Sequence, residues 1–368
     1  MHQNKIMKRF SIFILAVFSQ LYGKTQPGDL KLVDWHPKSM LIVAETRVLK
    51  PRFPVIDMHN HLGHLQNAEK YLEEMDKAGV VACVSLDGRS AKDFYKEHLR
   101  VSQKISKERF IVFFRPDWTK IDEPDYGRKE AKKLEEAVKM GARGVKVAKD
   151  LGLMAKDKNG KLIPVDDSRL DPIWAKCGEL GIPVLMHVTD PKAFFTPTDQ
   201  FNERYEKLSV HPDWSFYGDQ FPSKEEILEQ RNRVMRRHPN TIFIGAHMGC
   251  LPEDLGTVSL WLEQFPNFYI EISARIGELG RQPYTARKFM IKHQDRILFG
   301  TDSYPDAEAY RLHYRFLETS DEYIDRSAGS KNHHERWMMY GLYLPDEVLE
   351  KIYNKNALKI LAMYKGER

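Results

Sequence analysis

Several features that define other protein classes are scarce or missing in this sequence of 368 residues. Its three cysteines, Cys83, Cys177 and Cys250, lie far apart in apolar surroundings, so we expect buried thiols rather than a disulfide framework or a zinc knuckle. Lysine and arginine form no cluster interleaved with aromatic residues, which argues against nucleic acid as a partner. There is no internal repeat and no low-complexity segment. The hydrophobic content of 42% and the aromatic content of 11% instead predict a sizeable globular core.

The apolar run near the N-terminus is too short to span a bilayer. Residues 10–18 follow Lys5, Lys8 and Arg9, and this order is typical of a secretory signal peptide. No cysteine near the end of the run offers a site for a lipid anchor. We therefore expect residues 1–23 to be a signal peptide and the protein to be exported, periplasmic or secreted, without a stable membrane anchor.

After a polar connector, residues 24–53, short apolar runs alternate with amphipathic stretches. Such alternation predicts strands and helices in turn, and the stretch 130–140 shows the apolar residues of a helix at intervals of three and four. A last helix is expected over residues 345–364. The predicted strands lie near residues 55–61, 80–86, 110–116, 143–148, 183–188, 241–247, 268–274 and 297–301.

Eight strands alternating with helices form either a (β/α)8 TIM barrel or an open, doubly wound sheet. The barrel is favoured because polar residues follow the carboxyl ends of most strands, where barrel active sites lie. A doubly wound sheet that binds a dinucleotide would carry a glycine-rich fingerprint after an early strand, and none is present. We therefore expect one α/β barrel domain over residues 54–368.

Two predicted connections are longer than ordinary turns. Residues 189–225 follow the fifth strand and residues 303–344 follow the eighth, and both are rich in aromatic side chains. Loops of this length in a compact domain are usually lids or walls of a binding site. The alternative is that their aromatic residues only pack the loops onto the barrel.

The strongest chemical signal is the pair of histidines in the first strand. Alternation along a strand places Asp57, His59 and His61 on one face, with the two imidazoles about 7 Å apart along the strand. Such a pair can share one divalent cation. On this motif alone, two ordinary strand histidines would explain the pattern equally well.

Three later strands each end in a further metal-binding side chain. An apolar run precedes His187 at the end of the fifth strand, His247 at the end of the sixth and Asp302 at the end of the eighth. The carboxyl ends of barrel strands converge, so these side chains should meet the two histidines of the first strand. An unpaired imidazole or carboxylate buried at that mouth would be costly, and a shared cation removes the cost.

With these motifs the chain resembles the amidohydrolase superfamily, in the amidohydrolase-related branch that includes aminocarboxymuconate-semialdehyde decarboxylase. The resemblance is carried by residues 57–61, His187, residues 246–249 and residues 299–302. It implies that His59, His61, His187 and Asp302 bind a divalent metal, with zinc as the expected ion. It implies that His247 is either a ligand of a second metal or a base beside a single one.

The same resemblance raises the question of a bridging lysine. Members with two metals often carry a carboxylated lysine at the end of the fourth strand, where this sequence has Lys146 and Lys149. We prefer Lys146, since its inward orientation lets Val145 and Val147 pack outward against helices. Either lysine could instead contact the substrate without modification.

Four residues have expected roles in the chemistry or in its support. A divalent ion with an open position lowers the pKa of coordinated water to about 7, and Asp302 could move the released proton to the leaving group. His247 could stabilise the developing oxyanion or orient the water. Arg275 in the seventh strand could bind a substrate carboxylate, or it could pair with Glu271 or a loop carboxylate. Asp57 is expected to support a ligand histidine.

We therefore expect a metal-dependent hydrolase acting on an amide, ester or lactone of a small, carboxylated or cyclic substrate. The alternative within enzymes is a metal-dependent decarboxylase, which one metal and a free His247 would favour. The alternative outside enzymes is a metal-retaining binding protein, which would have a closed coordination shell. A homodimer is a possible assembly.

Overall fold

The computed structural model describes residues 28–31, 34–35, 37–63, 65–326 and 337–363. The predicted signal peptide lies outside the described residues. The chain divides into two units, and everything described below lies in the second, Ala44–Arg368. In the part of the chain that the structure describes, every helix is too short or too polar to cross a bilayer.

Eight parallel strands form one sheet in which sequence neighbours are spatial neighbours, from the first to the eighth. The strands are β1 (Val55–Asn60), β2 (Val80–Arg89), β3 (Phe110–Arg115), β4 (Val145–Val147), β5 (Val184–Met186), β6 (Phe243–Gly245), β7 (Phe268–Glu271) and β8 (Ile297–Leu298). Backbone hydrogen bonds then join the segment after β8 to β1, with Phe299 accepting from Met58 at 3.0 Å and His59 accepting from Asp302 at 2.8 Å. The sheet closes on itself, and the predicted (β/α)8 TIM barrel is confirmed.

Helices fill the connections between successive strands. Longer α-helices span Ala68–Ala78, Phe94–Ser106, Tyr126–Lys139, Asp171–Leu180, Lys224–Arg237, Leu255–Gln264, Pro283–Lys292 and Ala307–Glu318. Shorter α-helices span Tyr205–Val210, Ile276–Gly280, Asp346–Glu350 and Asn356–Leu361, the last two joined by a π-helical turn, Lys351–Lys355.

Two apolar layers hold this arrangement together. One lies inside the barrel and includes Met58, Val84, Leu185, Ile244 and Leu298, one side chain from each of five strands. The larger layer lies between the strands and the helices. Because side chains alternate along a strand, neighbouring residues contribute to opposite layers, and this accounts for the continuous apolar runs in the sequence. The three cysteines are free and buried, as expected.

The connection 303–344 is not a loop throughout, as the sequence reasoning treated it. The helix Ala307–Glu318 lies within it, and its buried face includes Tyr310, His313, Tyr314 and Leu317. Asp306 caps this helix by accepting a hydrogen bond from the backbone N–H of Ala309 at 2.8 Å. The aromatic residues that suggested a lid are therefore in part the buried stripe of an ordinary barrel helix.

Candidate metal centre and active site

Four imidazoles and one carboxylate meet at the carboxyl end of the barrel. The ring centroids of His59 and His61 lie 5.5 Å apart, those of His59 and His247 lie 4.9 Å apart, and those of His187 and His247 lie 4.3 Å apart. Asp302 lies among them, with Oδ1 3.1 Å from Nε2 of His59 and 3.4 Å from Nε2 of His61. The five side chains that the sequence suggested for one site therefore lie together.

His59 is held by Glu271, a carboxylate of β7, two strands away around the closed barrel. Its Nδ1 lies 2.8 Å from Oε1 of Glu271, and both side chains are fully buried. Burial by itself raises the pKa of Glu271, but His59 and His247 outweigh it and keep the pKa below the ordinary value. An ionised carboxylate only accepts, so Nδ1 of His59 donates to Glu271, and Nε2 points into the site.

Gly300 makes this contact possible. A Cβ atom at position 300 would lie 2.8 Å from Oε2 of Glu271 and 3.2 Å from Cβ of His59. Any larger residue would therefore push Glu271 away from the imidazole. The glycine before Thr301 and Asp302 is explained by this close approach.

His61 is oriented in the same way by Asp87, which follows the end of the predicted second strand. Oδ1 of Asp87 lies 3.3 Å from Nδ1 of His61, and Oδ2 accepts from the backbone N–H of Gly63 at 2.8 Å. Burial raises the pKa of Asp87, but His61 outweighs it and lowers the pKa. Burial lowers the pKa of His61, but hydrogen bonds to Asp302 and Asp87 outweigh it and raise the pKa, and Nε2 faces Asp302. The sequence reasoning missed Asp87, which lies within β2, although its place directly after the predicted strand 80–86 could have indicated it.

His247 lies on an unusual turn of backbone. Four successive residues, His247, Met248, Gly249 and Cys250, have φ between 56° and 66°, in the left-handed region. The turn is held from two sides: Glu271 accepts from the backbone N–H of His247 at 2.9 Å, and the buried guanidinium of Arg231 donates to the carbonyl of Gly249. This backbone conformation costs about 1–2 kcal/mol per non-glycine residue, so these contacts are needed to maintain it.

The turn directs the imidazole of His247 into the site. Nδ1 donates to the carbonyl of Ser273 at 2.9 Å, so Nε2 carries a lone pair. Within the described residues Nε2 is buried without a hydrogen-bond partner, and it lies 3.8 Å from Oδ2 of Asp302. Burial, with the nearby His187 and Arg275, keeps the pKa of His247 well below its ordinary value, so the ring is neutral.

His187 borders a polar group that the sequence did not indicate. Asp190, three residues further on, is buried, with Oδ1 3.5 Å from Nε2 of His187 and 3.9 Å from a terminal nitrogen of Arg275. Its other oxygen accepts from Lys149 Nζ at 2.6 Å. Burial lowers the pKa of His187 to about 4, so this imidazole is also neutral near pH 7.

The two lysines of the fourth strand region occupy different places. Lys146 points into the barrel, where Nζ lies 3.3 Å from Nε2 of His59, while Val145 and Val147 pack in the outer layer. Burial lowers the pKa of Lys146 to about 8. Lys149 follows the end of β4 and contacts Asp190 instead. Lys146 is therefore the lysine within reach of the metal-binding side chains.

Asp57 supports His59 as expected, but through the backbone rather than through the imidazole ring. Asp57 pairs with Cys83 and Asn60 pairs with Ser85, so β1 has one residue more than β2 between these two pairs. This bulge breaks the alternation of side chains and places His59 on a different face from Asp57. Asp57 accepts from Thr301 Oγ1 at 2.6 Å and from the backbone N–H of His59 at 3.0 Å, so it touches no imidazole ring. It ties β1 to the end of β8, and Glu271 orients the ring.

The arrangement fits a divalent metal. Nε2 of His59 lies 3.1 Å and Nε2 of His61 lies 3.4 Å from Oδ1 of Asp302, so three potential ligand atoms lie close enough to share one ion. Burial raises the pKa of Asp302, but the three nearby imidazoles outweigh it and keep the pKa well below the ordinary value. Several ligand atoms converging in this way can share a cation, and imidazole with carboxylate suits a transition-metal ion. His59, His61 and Asp302 would hold it, with His187 and His247 beside them.

A cavity of about 230 Å³ opens beside the proposed ligands. His187, His247, Asp302 and Arg275 line it, and so does Trp214 from the connection after β5. Other aromatic residues of that connection pack on each other, since Phe216 lies 5.6 Å from Phe195 and 5.4 Å from Phe221 between centroids. The connection therefore both lines the cavity and packs on the barrel.

A parallel (β/α)8 barrel whose mouth collects imidazoles around a carboxylate defines the class of metal-dependent barrel enzymes. Within that class, the chain belongs to the amidohydrolase family, whose sequence model matches residues 56–363. The resemblance drawn from the motifs is thereby confirmed. None of the curated proteins compared with the chain matches it significantly.

Solved structures agree with the fold. An uncharacterised TIM-barrel protein from Bordetella bronchiseptica superposes with a TM-score of 0.52 at 17% identity, over 86% of this chain and 99% of that one. Dihydroxybenzoic acid decarboxylase from Polaromonas sp. JS666, with bound manganese and 2-nitroresorcinol, gives 0.52 at 16% identity, over 85% and 98%. A 5-carboxyvanillate decarboxylase from Novosphingobium aromaticivorans, with manganese, gives 0.52 at 14% identity, over 87% and 100%. At these identities the likeness is one of fold.

Proposed function

We propose that the protein is a metal-dependent hydrolase of the amidohydrolase type, which cleaves an amide, ester or lactone bond in a small carboxylated or cyclic substrate. The observation that carries the proposal is the position of Asp302, an ionised carboxylate within 3.4 Å of both Nε2 atoms of the first-strand histidines. A hydrolase needs a proton acceptor where the metal ligands meet, and Asp302 is placed to be one.

The roles of the chain's own residues follow from their contacts. A divalent ion held by His59, His61 and Asp302 would polarise the carbonyl and acidify water. Asp302 accepts the proton that water loses and returns it to the leaving nitrogen or oxygen. Arg275, whose guanidinium is close to Asp190 and lines the cavity, binds a substrate carboxylate. Ser273 fixes His247 so that Nε2 points at the reacting groups.

The second candidate is a metal-dependent decarboxylase, in which a C–C bond breaks, CO2 leaves and the carbon takes a proton. It is favoured by the Nε2 atom of His247, which has no hydrogen-bond partner among the described residues. Two solved barrels of similar fold are decarboxylases with bound manganese, so manganese is a candidate ion beside zinc.

The test combines metal analysis, intact mass and product analysis on protein purified without chelator. Two metals per chain with an added mass of one CO2 would support a binuclear hydrolase bridged by carboxylated Lys146. One metal without the adduct, together with CO2 release from a panel of aromatic carboxylates and no hydrolysis of lactones or esters, would replace the hydrolase by the decarboxylase. A chain that takes up no metal on titration would refute both and the metal centre with them.

A further inference from the structure

The hydroxyl of Ser273 lies between two imidazoles of the site. Its oxygen lies 3.1 Å from Nδ1 of His59 and 3.0 Å from Nδ1 of His247. The ring centroids of the two histidines are 4.9 Å apart, and all three residues are buried. This contact is distinct from that of the backbone carbonyl of Ser273, which accepts from His247. One side-chain oxygen therefore contacts the histidine of β1 and the histidine after β6 at the same time.

Glu271, two residues earlier, fixes the direction of this hydroxyl. The O–H of Ser273 donates to Oε1 of Glu271 at 2.9 Å, and the backbone N–H of Ser273 donates to Oε2 of the same carboxylate. A hydroxyl has one hydrogen to donate and two lone pairs that accept. With its hydrogen on Glu271, the oxygen can only accept from His59 and His247. Its hydrogen-bonding capacity is then fully used, which is the favourable state for a buried polar group.

The shared oxygen orients both rings towards Asp302. The two nitrogens of an imidazole lie on different edges of the ring, so a ring held at Nδ1 presents Nε2 away from that contact. Nε2 of His59 lies 3.1 Å from Oδ1 of Asp302, and Nε2 of His247 lies 3.8 Å from Oδ2. Each ring also has an acceptor of its own, Glu271 for His59 and the carbonyl of Ser273 for His247. The hydroxyl is the acceptor that the two Nδ1 atoms have in common.

We propose that Ser273 is a positioning residue whose hydroxyl holds the imidazoles of His59 and His247 as a pair. Loss of this oxygen then disturbs both the metal-binding ring and the ring beside it. The inference rests on the proposed function in that the pair faces the substrate, but the pairing itself is measured without turnover. Alanine removes the oxygen and adds no atom to the buried site, so Ser273→Ala is the direct test.

Competition for zinc with a chromogenic chelator measures the effect on the metal-binding ring. Ser273→Ala should bind zinc about tenfold more weakly, which corresponds to about 1.4 kcal/mol. This is the lower end of the usual effect of a group behind a ligand histidine, because Glu271 still accepts from His59. Ser85→Ala is the matched control, since the hydroxyl of Ser85 lies 2.8 Å from Nε2 of His98 and both residues are buried. It should bind zinc as the unsubstituted protein does.

Nuclear magnetic resonance of the zinc-loaded protein with isotope-labelled histidine tests the pairing itself. The Nδ1–H resonances of His59 and His247, assigned from the spectra of His59→Gln and His247→Gln, should both shift in Ser273→Ala. Both should stay in place in Ser85→Ala. A shift of only one of them would overturn the pairing. A purely structural role would lower the stability of both alanine variants and leave zinc affinity and resonances unchanged, which would overturn the proposal as well.

A second variant keeps the test decisive if Ser273→Ala does not fold. Ser273→Cys, whose thiol is only a weak acceptor, is then measured in its place with the same expected results. Because neither measurement uses turnover, a protein that hydrolyses no substrate would refute the proposed function and leave the pairing intact. Unchanged spectra in an active enzyme would do the reverse.

Discussion

Glu271 accepts a hydrogen bond of 2.8 Å from His59, a residue 212 positions earlier in the chain, and neither side chain is exposed. The same oxygen accepts from the backbone N–H of His247. One carboxylate therefore orients an imidazole of β1 and the backbone that carries another imidazole after β6. It acts through both histidines without reaching the cavity itself.

Glu271→Gln should weaken metal binding about 10- to 100-fold, the usual effect of removing a carboxylate behind a ligand histidine. Glutamine lacks the charge that keeps the proton on Nδ1, so Nε2 loses its fixed lone pair. Competition with a chromogenic chelator measures the affinity. Glu263→Gln, an exposed substitution on the helix Leu255–Gln264, is the control. Equal metal affinity in both variants would contradict the role of Glu271.

Arg231→Met should lower the free energy of unfolding by about 3 kcal/mol, because it leaves the buried carbonyl of Gly249 without its donor. The guanidinium also stacks on Trp261, 4.4 Å from the ring centroid, and lysine cannot reproduce this planar contact. Arg231→Lys should therefore retain only part of the stability that Arg231→Met loses. Urea denaturation gives the free energies of unfolding.

The control for Arg231 is Arg236→Met on the same helix, where the arginine is half exposed. That substitution should change the free energy of unfolding by no more than about 0.5 kcal/mol. If kcat also falls in Arg231→Met but the protein remains folded, the left-handed turn of His247 depends on the arginine. An unchanged kcat in folded Arg231→Met would mean that the turn at His247 does not need Arg231.

His313→Leu should make the free energy of unfolding less sensitive to acidic pH. Burial lowers the pKa of His313 to about 4, so between about pH 6.5 and pH 4 the unfolded chain binds a proton that the folded chain does not. The contribution of His313 to the free energy of unfolding is fully present above about pH 6.5. It is lost as the pH falls toward 4, by about 3 kcal/mol in total. Urea denaturation at pH 7 and pH 4.5 should show a smaller difference in the variant. An equal loss of stability between pH 7 and pH 4.5 in the variant and in the unsubstituted protein would contradict this role of His313.

The sequence was sufficient for the barrel and for the convergence of its strand ends. Apolar runs mark all eight strands, and the rule that such strands end at one mouth brings His187, His247 and Asp302 to His59. It was also sufficient for the inward orientation of Lys146, because valines on both sides of it need the outer layer. These conclusions depend only on local patterns.

The partners of the site residues could not be predicted in the same way. Alternation predicted one face for Asp57 and His59, and an extra residue in β1 separates them. The contacts of Glu271 with His59 and of Asp87 with His61 join distant parts of the chain, and their geometry depends on the closed barrel. The residues of the left-handed turn at His247, apart from Gly249, seldom adopt that backbone conformation. Tertiary contacts maintain the turn, and the sequence does not reveal them.

The hydrogen bond from Asp302 to the carbonyl of His59, which closes the barrel, has a consequence for biosynthesis. His59 leaves the ribosome early, whereas Asp302 is synthesised more than two hundred residues later. The growing chain can form several βα units before this contact exists, but it cannot assemble the complete ligand set. The candidate metal ligands therefore come together only in a nearly finished chain, and a polypeptide truncated before β8 would lack Asp302.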